Sequence, residues 1–168
     1  MPLSDARTRR ARQGTDHVAD AKPSRPGDFR FVVPAVADPN GSVVHLHNLE
    51  ITEQLFRTRN SYITEAVGLA WTDLFASGRN LIMRRLAVDF EREASRSDQL
   101  VCGVRARWRS RRTLTFEEVL WTSHGDAIAR AESVHLAIRT DAPGALELPA
   151  DIVELFERYE GAPIAIRG

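Results

Sequence analysis

The residues best suited to chemistry lie close together, between Asp38 and Glu53. Asp38 stands in the loop Asp38-Pro39-Asn40-Gly41, which Val43 and Val44 follow, and a long helix pattern opens at Asn48. A carboxylate in a loop just before a helix can attack a carbonyl carbon or take a proton from water. The helix start beside it offers unpaired backbone N–H groups and the positive end of the dipole. Those groups polarise a carbonyl oxygen and stabilise the charge that grows on it. The competing reading of Asp38 is a plain Asp-Pro turn former. His45 and His47 share one face of an extended step. They can position water or hydrogen-bond Asp38, or serve only as structural polar residues. No third His or Cys stands at a plausible spacing, so no metal site is expected. Asn48 is expected to cap the helix, with an amide that can also face the reacting carbonyl. Glu50 and Glu53 complement the dipole in the first turns.

The arginines form a second set. Arg59 falls inside the apolar arc of the helix, where a buried guanidinium needs a partner. An ion pair at an interface or a snorkelling stem would supply it. Arg105, Arg107, Arg109, Arg111 and Arg112 make the densest basic patch in the chain. Read with a strand's period of two, Arg105, Arg107 and Arg109 share one face, and Leu100, Cys102, Val104, Ala106 and Trp108 share the other. Such a patch suits phosphates or an acidic protein surface, or is a solvated strand face.

Helix and strands must position these groups. At about 100° per residue, Leu49, Ile51, Leu55, Phe56, Tyr62, Ile63, Ala66 and Val67 fall in one arc of roughly 160°, and Gly68 stops the helix. So wide an apolar face requires a large partner surface, and the later chain offers only strands. FRFVVPAV (29–36) is a short strand, at an edge or broken at Pro34. Trp71, Leu74 and Phe75 have helical spacing up to Gly78. Residues 81–90 alternate Ile82, Leu86, Val88 and Phe90, with Arg84 breaking the row. Strands are expected at 99–109, 113–122 and 127–140, joined by short turns as an antiparallel meander, and a terminal helix at 148–161.

The loop D-P-x-G, the Val43-Val44 pair, Asn48 at the helix start, Arg57 on the helix and the strand order behind it together resemble the hotdog-fold acyl thioesterases of the 4-hydroxybenzoyl-CoA thioesterase type. The resemblance covers roughly residues 29–139. It implies an α+β hotdog fold, an antiparallel sheet wrapped around one long central helix. It also implies that Asp38 attacks the thioester or activates water against it. Some members carry the carboxylate on the helix, which makes Glu53 or Glu50 the reserve. The catalytic set is then Asp38, His45, His47, Asn48 and Glu53. The substrate-binding set is Gly41, Glu50, Arg57, Arg59, Arg107 and Arg109, with Arg59 against an acyl or pantetheine group and the strand arginines against coenzyme A or an acyl carrier protein. The helical piece at 71–78 would border the acyl pocket or act as a core lid. Hotdog protomers complete their sites at a dimer interface, so a homodimer or a dimer of dimers is expected.

Composition narrows the alternatives. The chain of 168 residues fits one domain, and its 23 basic and 23 acidic residues name no partner class by charge. The single cysteine, Cys102, excludes an intrachain disulfide framework and reads as a buried inert thiol. Residues 1–28 are polar, end on Pro23, Pro26 and Gly27, and read as a disordered tail before a domain at 29–168. The arginines near the start lack an apolar segment, so a secretory signal is not expected. No apolar run is long enough for a bilayer. A cytoplasmic acyl-CoA or acyl-carrier-protein thioesterase without a bound cofactor is the reading. A dehydratase-type hotdog enzyme or a non-catalytic acyl-thioester-binding module is the alternative. A nucleic-acid binder or scaffold rests only on the arginine patch and the tail.

Overall fold

A computed structural model describes residues 24–36 and 44–167. Asp38 and Gly41, and the expectation of disorder for residues 1–23, lie outside the described residues.

The chain enters through a 3-10 turn, Pro26–Asp28, into β1 (Phe31–Ala35). Helix α1 (Asn48–Ser61) runs on into a π turn, Tyr62–Ala66, and Gly68 ends it at φ 82°. The short helix α2 (Trp71–Ala76) leads to β2 (Arg79–Phe90). Strands β3 (Leu100–Arg109), β4 (Thr113–Thr122) and β5 (Ala127–Arg139) form the expected meander, followed by α3 (Ala150–Glu160) and the two-residue β6 (Ala165–Ile166). The sheet order is β1-β3-β4-β5-β2, antiparallel throughout, with β6 paired in parallel to the far end of β3. This is the α+β architecture expected, with α1 lying against β1, β3 and β4.

The buried face of α1 carries Ile51, Leu55, Thr58 and Arg59, and Tyr62 and Ile63 continue it through the π turn. These residues recur at the helical interval and meet Leu100, Cys102, Leu114, Phe116 and Leu120 from the sheet. The apolar arc is wider than the face the sheet covers: Leu49 is 73 % exposed and Phe56 46 %. Tyr62 stacks among Phe116, Phe156 and Tyr159, which docks α3 onto the end of α1. Its hydroxyl donates to Glu160 Oε1 at 2.5 Å and accepts from the Ala106 amide at 3.1 Å. Cys102 is buried as expected, and burial pushes its thiol up to about 12, which leaves it uncharged and unreactive.

The other face of the sheet is held by ion pairs and one small aromatic cluster. Phe29 meets Trp121 edge to face over Gly103, where a Cβ would lie 2.8 Å from the indole, so only glycine fits. Ser24–Asp28, assigned from composition to the tail, packs here instead. The Ser24 hydroxyl donates to Glu117 at 2.6 Å and Arg105 donates to the Asp28 carbonyl. Hydrogen bonds to the sheet substitute for the apolar burial this segment lacks.

Three bulges interrupt the sheet, one of them in β5 at Ile128 opposite Leu120 and Trp121, and the other two overturn an expected row. The register of β3 against β4 shifts between Ala106 and Trp108, and that of β2 against β5 between Met83 and Arg85. An extra residue in one strand turns every later side chain to the opposite face. Trp108 therefore pairs with Thr115 on the outer face, and Arg109 pairs with Leu114 on the helix side. In β2 the helix-side row becomes Leu81, Met83, Leu86, Val88 and Phe90, and Ile82 lies opposite Leu136 on the other face. The expected row of Ile82, Leu86, Val88 and Phe90 is corrected in this way, and Arg84 is the bulged residue.

Candidate active site

The start of α1 is built by the loop after β2. His45 forms a bridge with Ser95, the Leu46 amide donates to Ala94 O at 2.8 Å, and the Arg96 amide donates to Val44 O at 3.0 Å. The chain entering the helix is thereby fixed to the chain leaving β2. The helix is capped by His47, one residue before the Asn48 expected from sequence. His47 Nδ1 accepts from the Leu49 amide at 3.3 Å, and its own amide donates to Glu50 Oε2 at 2.9 Å. An imidazole acceptor does what a Ser or Asp does in a capping box. Asn48 is the first helical residue, and its carbonyl accepts from Thr52.

Two expected carboxylates already have partners. Glu50 is gripped by Arg96 at 2.8 Å and 2.9 Å, and together with the His47 amide this holds its carboxyl below the usual range. Glu53 pairs with Arg57 at 2.6 Å one turn on, along the exposed face. Arg57 is therefore a helix-surface partner of Glu53. His45 is exposed, with Nδ1 4.0 Å from Glu93. His47 and Glu50 thus come together at the helix start with Arg96, which sequence reasoning missed. Among the described residues no group of three or more His, Cys, Asp or Glu is placed to hold a metal ion.

The strand arginines do not form one patch. Arg105 and Arg107 both bind Glu117 on the outer face, Arg105 at 2.7 Å, and Arg107 lies over the Trp108 ring. Arg109, turned by the bulge, faces Glu157 of α3 at 3.9 Å. Arg111 pairs with Glu147. Arg105 and Arg107 share the outer face, and a single carboxylate, Glu117, answers the two of them.

Arg59 has the buried partner its position demanded. Its Nη1 donates to Glu118 Oε1 at 2.8 Å, and the Ser133 hydroxyl donates to the same oxygen at 2.5 Å. Burial pushes the Glu118 carboxyl up, against the pull of Arg59 and Ser133. His135 stands beside them, edge to face with Phe116, and burial with the nearby Arg59 charge drives its imidazole down to about 3. Sequence reasoning missed Glu118, Ser133 and His135 as a group. The signal was present: Leu114, Phe116, Glu118, Leu120 and Ala129, Ala131, Ser133, His135, Ala137 are two period-two rows with polar residues on the apolar face.

An apolar trench links the two regions. Phe90, Leu86 and Met83 on the helix side of β2 remain 42 %, 37 % and 43 % exposed, since α1 leans away over β3 and β4. β2 ends beside the loop that fixes the helix start, so the trench begins there. It runs up to Leu86 and Met83, which pair with Ser133 and His135. A separate open hollow of about 450 Å³ lies on α2, lined by Trp71, Thr72, Phe75, Ala76 and Asn80.

The fold is the hotdog fold, and several of its structural neighbours are named thioesterases. No family model matches the chain, and no curated protein matches it. Solved structures do. A thioesterase from Thermus thermophilus, complexed with coenzyme A and Zn, superposes with a TM-score of 0.67 at 21 % identity, over 82 % of this chain and 98 % of that one. A 1,4-dihydroxy-2-naphthoyl-CoA thioesterase from Synechocystis gives 0.63 at 13 % identity, over 79 % and 95 %. A probable thioesterase from Escherichia coli gives 0.64 at 16 % identity, over 78 % and 98 %. Among the described residues no helix is long and apolar enough to cross a membrane.

Proposed function

We propose that this protein hydrolyses an acyl thioester of coenzyme A or of an acyl carrier protein. The observation that carries the reading is the apolar trench opening beside a fixed, capped helix start. The acyl chain lies along Phe90, Leu86 and Met83, and the thioester carbonyl meets the first turn of α1. Asp38, in the loop before that turn, is the carboxylate. It takes a proton from water, whose oxygen attacks the carbonyl carbon, or it attacks directly and water releases the acyl group. The C–S bond breaks, and the leaving thiolate takes a proton. The amide end of the helix stabilises the oxyanion. The neighbours named as thioesterases, one of them holding coenzyme A, support this assignment. Free-thiol release from a panel of acyl-CoA and acyl-carrier thioesters tests it, and no release from any of them leaves the binding-module alternative.

The expected partner is a second copy of this chain. β2 is the last strand on its side of the sheet, 12 residues long, and its outer backbone edge is unpaired among the described residues, beside exposed Leu86 and Phe90. Such an edge invites another strand. A second copy paired there would continue the sheet and wall the trench with its own Phe56 and Leu49. Sedimentation at micromolar concentration is expected to show a dimer or larger. Replacing Leu86 by Pro, which removes an amide donor from this edge strand, should shift it towards monomer and cut activity with it. A monomeric wild type with full turnover would remove the second copy from the site.

The carrier is tested at Arg107. If its outer-face charge receives coenzyme A phosphates or an acidic carrier surface, Arg107→Glu raises KM for one class of thioester and leaves kcat nearly unchanged, the pattern for lost uniform binding. The effect shrinks with salt, since exposed charges are screened over about 10 Å at 0.1 M. An unchanged KM at low salt for both classes makes Arg107 a partner of Glu117 alone.

A further inference from the structure

The buried cluster under the trench contains more hydrogen-bonding capacity than the protein uses. Arg59 Nε, Glu118 Oε2 and both ring nitrogens of His135 are buried and have no hydrogen-bond partner among the described residues. The three residues are 1 %, 0 % and 4 % exposed. Leaving such groups unpaired costs free energy in proportion to their lost hydration. A fold that needed only stability would do as well with apolar side chains here. Leu86 and Met83, half open to the trench, are the cross-strand partners of Ser133 and His135. Phe56, also half open, lies over the Arg59 guanidinium at 5.0 Å. The cross-strand neighbours of Ser133 and His135 are therefore the half-exposed apolar side chains of the trench itself.

We propose that Arg59, Glu118 and His135 form a specificity site that recognises a hydroxyl group borne far along the acyl chain. This rests on the reading of the trench as the acyl site. The chemistry selects a neutral group that both donates and accepts. Arg59 Nε–H donates, Glu118 Oε2 accepts, and a neutral imidazole offers one nitrogen of each kind. A hydroxyl satisfies a donor and an acceptor at once. A terminal carboxylate would be repelled by Glu118, an ammonium group by Arg59, and a methyl group leaves all of the atoms unpaired. The low-lying titration of His135 keeps the imidazole neutral at physiological pH. Length is set by the helix: from Leu49 to Arg59 the axis rises about 15 Å, a distance that a medium-length chain spans and a short acyl group does not. The specificity site therefore acts on hydroxylated medium-chain acyl groups.

The test compares S-dodecyl-pantetheine with S-(ω-hydroxydodecyl)-pantetheine. These are non-hydrolysable thioethers carrying the arm that both carriers share. Their binding to the full chain is measured by calorimetry. Wild type is expected to hold the hydroxylated ligand about tenfold tighter or more, in keeping with a site left with unpaired polar groups by the plain chain. His135→Phe, which keeps the ring against Phe116, should erase that preference, and His135→Leu serves the same purpose if the Phe variant does not fold. Equal wild-type affinities, as expected if the cluster holds only a buried water, overturn the proposal. So does a preference that survives both substitutions, or failure of both ligands to bind. Binding preference without thioester hydrolysis leaves the specificity site standing and removes the hydrolase reading. Hydrolysis without preference does the reverse.

Discussion

Asp38→Asn is expected to lower turnover on the best thioester by a hundredfold or more, the scale of a lost general base or nucleophile, while the unfolding midpoint barely moves. The neighbouring carboxylates are already committed elsewhere. Glu50 binds the Arg96 guanidinium through both oxygens and caps the His47 amide, so it has little freedom to take a proton from water. Its carboxyl is also held below the usual range, which makes it a weaker base. Glu53 points along the exposed helix face into its pair with Arg57. Asp38 is the carboxylate that the sequence places on the chain before the helix start. Steady-state kinetics on Asp38→Asn, Glu50→Gln and Glu53→Gln separate the roles. Glu50→Gln should act mainly on stability, by loosening the cap and the Arg96 contact. Glu53→Gln should stay near wild type. If Asp38→Asn keeps wild-type turnover and Glu53→Gln loses it, the catalytic carboxylate is on the helix.

Periodicity made parts of the fold legible in the sequence, and breaks in periodicity concealed others. The helix pattern from Asn48 to Ser61 and the strand at 113–122 match the fold because each keeps one period throughout. The placement of Arg109 and Ile82 failed because a single bulged residue, Arg107 or Arg84, inverts the parity of the later strand residues, and nothing in residue type marks a bulge in advance. β6 was invisible, since two residues carry no period. The cap moved from Asn48 to His47 because imidazole is an uncommon acceptor there, although Glu50 three residues on was a legible half of the capping box. Arg59 was legible as an anomaly, and its partner was legible too: a glutamate on the apolar row of the strand at 113–122 can only be buried if a cation meets it.

Glu118→Ala is expected to cost about 3–5 kcal/mol, the scale of a buried ion pair broken from one side. Denaturant unfolding should show it as a large fall in midpoint. The loss comes mostly from Arg59, left charged and without its acceptor in a site that is 1 % exposed. Removing both charges together, as Arg59→Met with Glu118→Leu, should recover most of that loss or exceed wild type, because the apolar pair needs no desolvation of ions. A double variant no more stable than Glu118→Ala would mean that the cluster is structural and that its charges are needed by the fold. The acid side adds a second readout through His135. Its folded value of about 3 lies below the ordinary histidine value, so below about pH 6.5 the unfolded chain binds a proton that the folded chain refuses. That contribution to stability is fully present above pH 6.5 and is lost as pH falls towards 3, at up to about 1.4 kcal/mol per pH unit. Glu118 acts in the opposite sense. Its carboxyl is raised in the folded state, so its contribution is present at low pH and is lost as pH rises through the folded value. Total stability therefore mixes the two, and the difference between wild type and His135→Phe isolates the histidine. That difference should be constant above pH 6.5 and move in favour of the phenylalanine variant as pH falls towards 4. A difference that stays flat across this range would show that His135 takes up its proton in the folded protein as readily as in the unfolded chain.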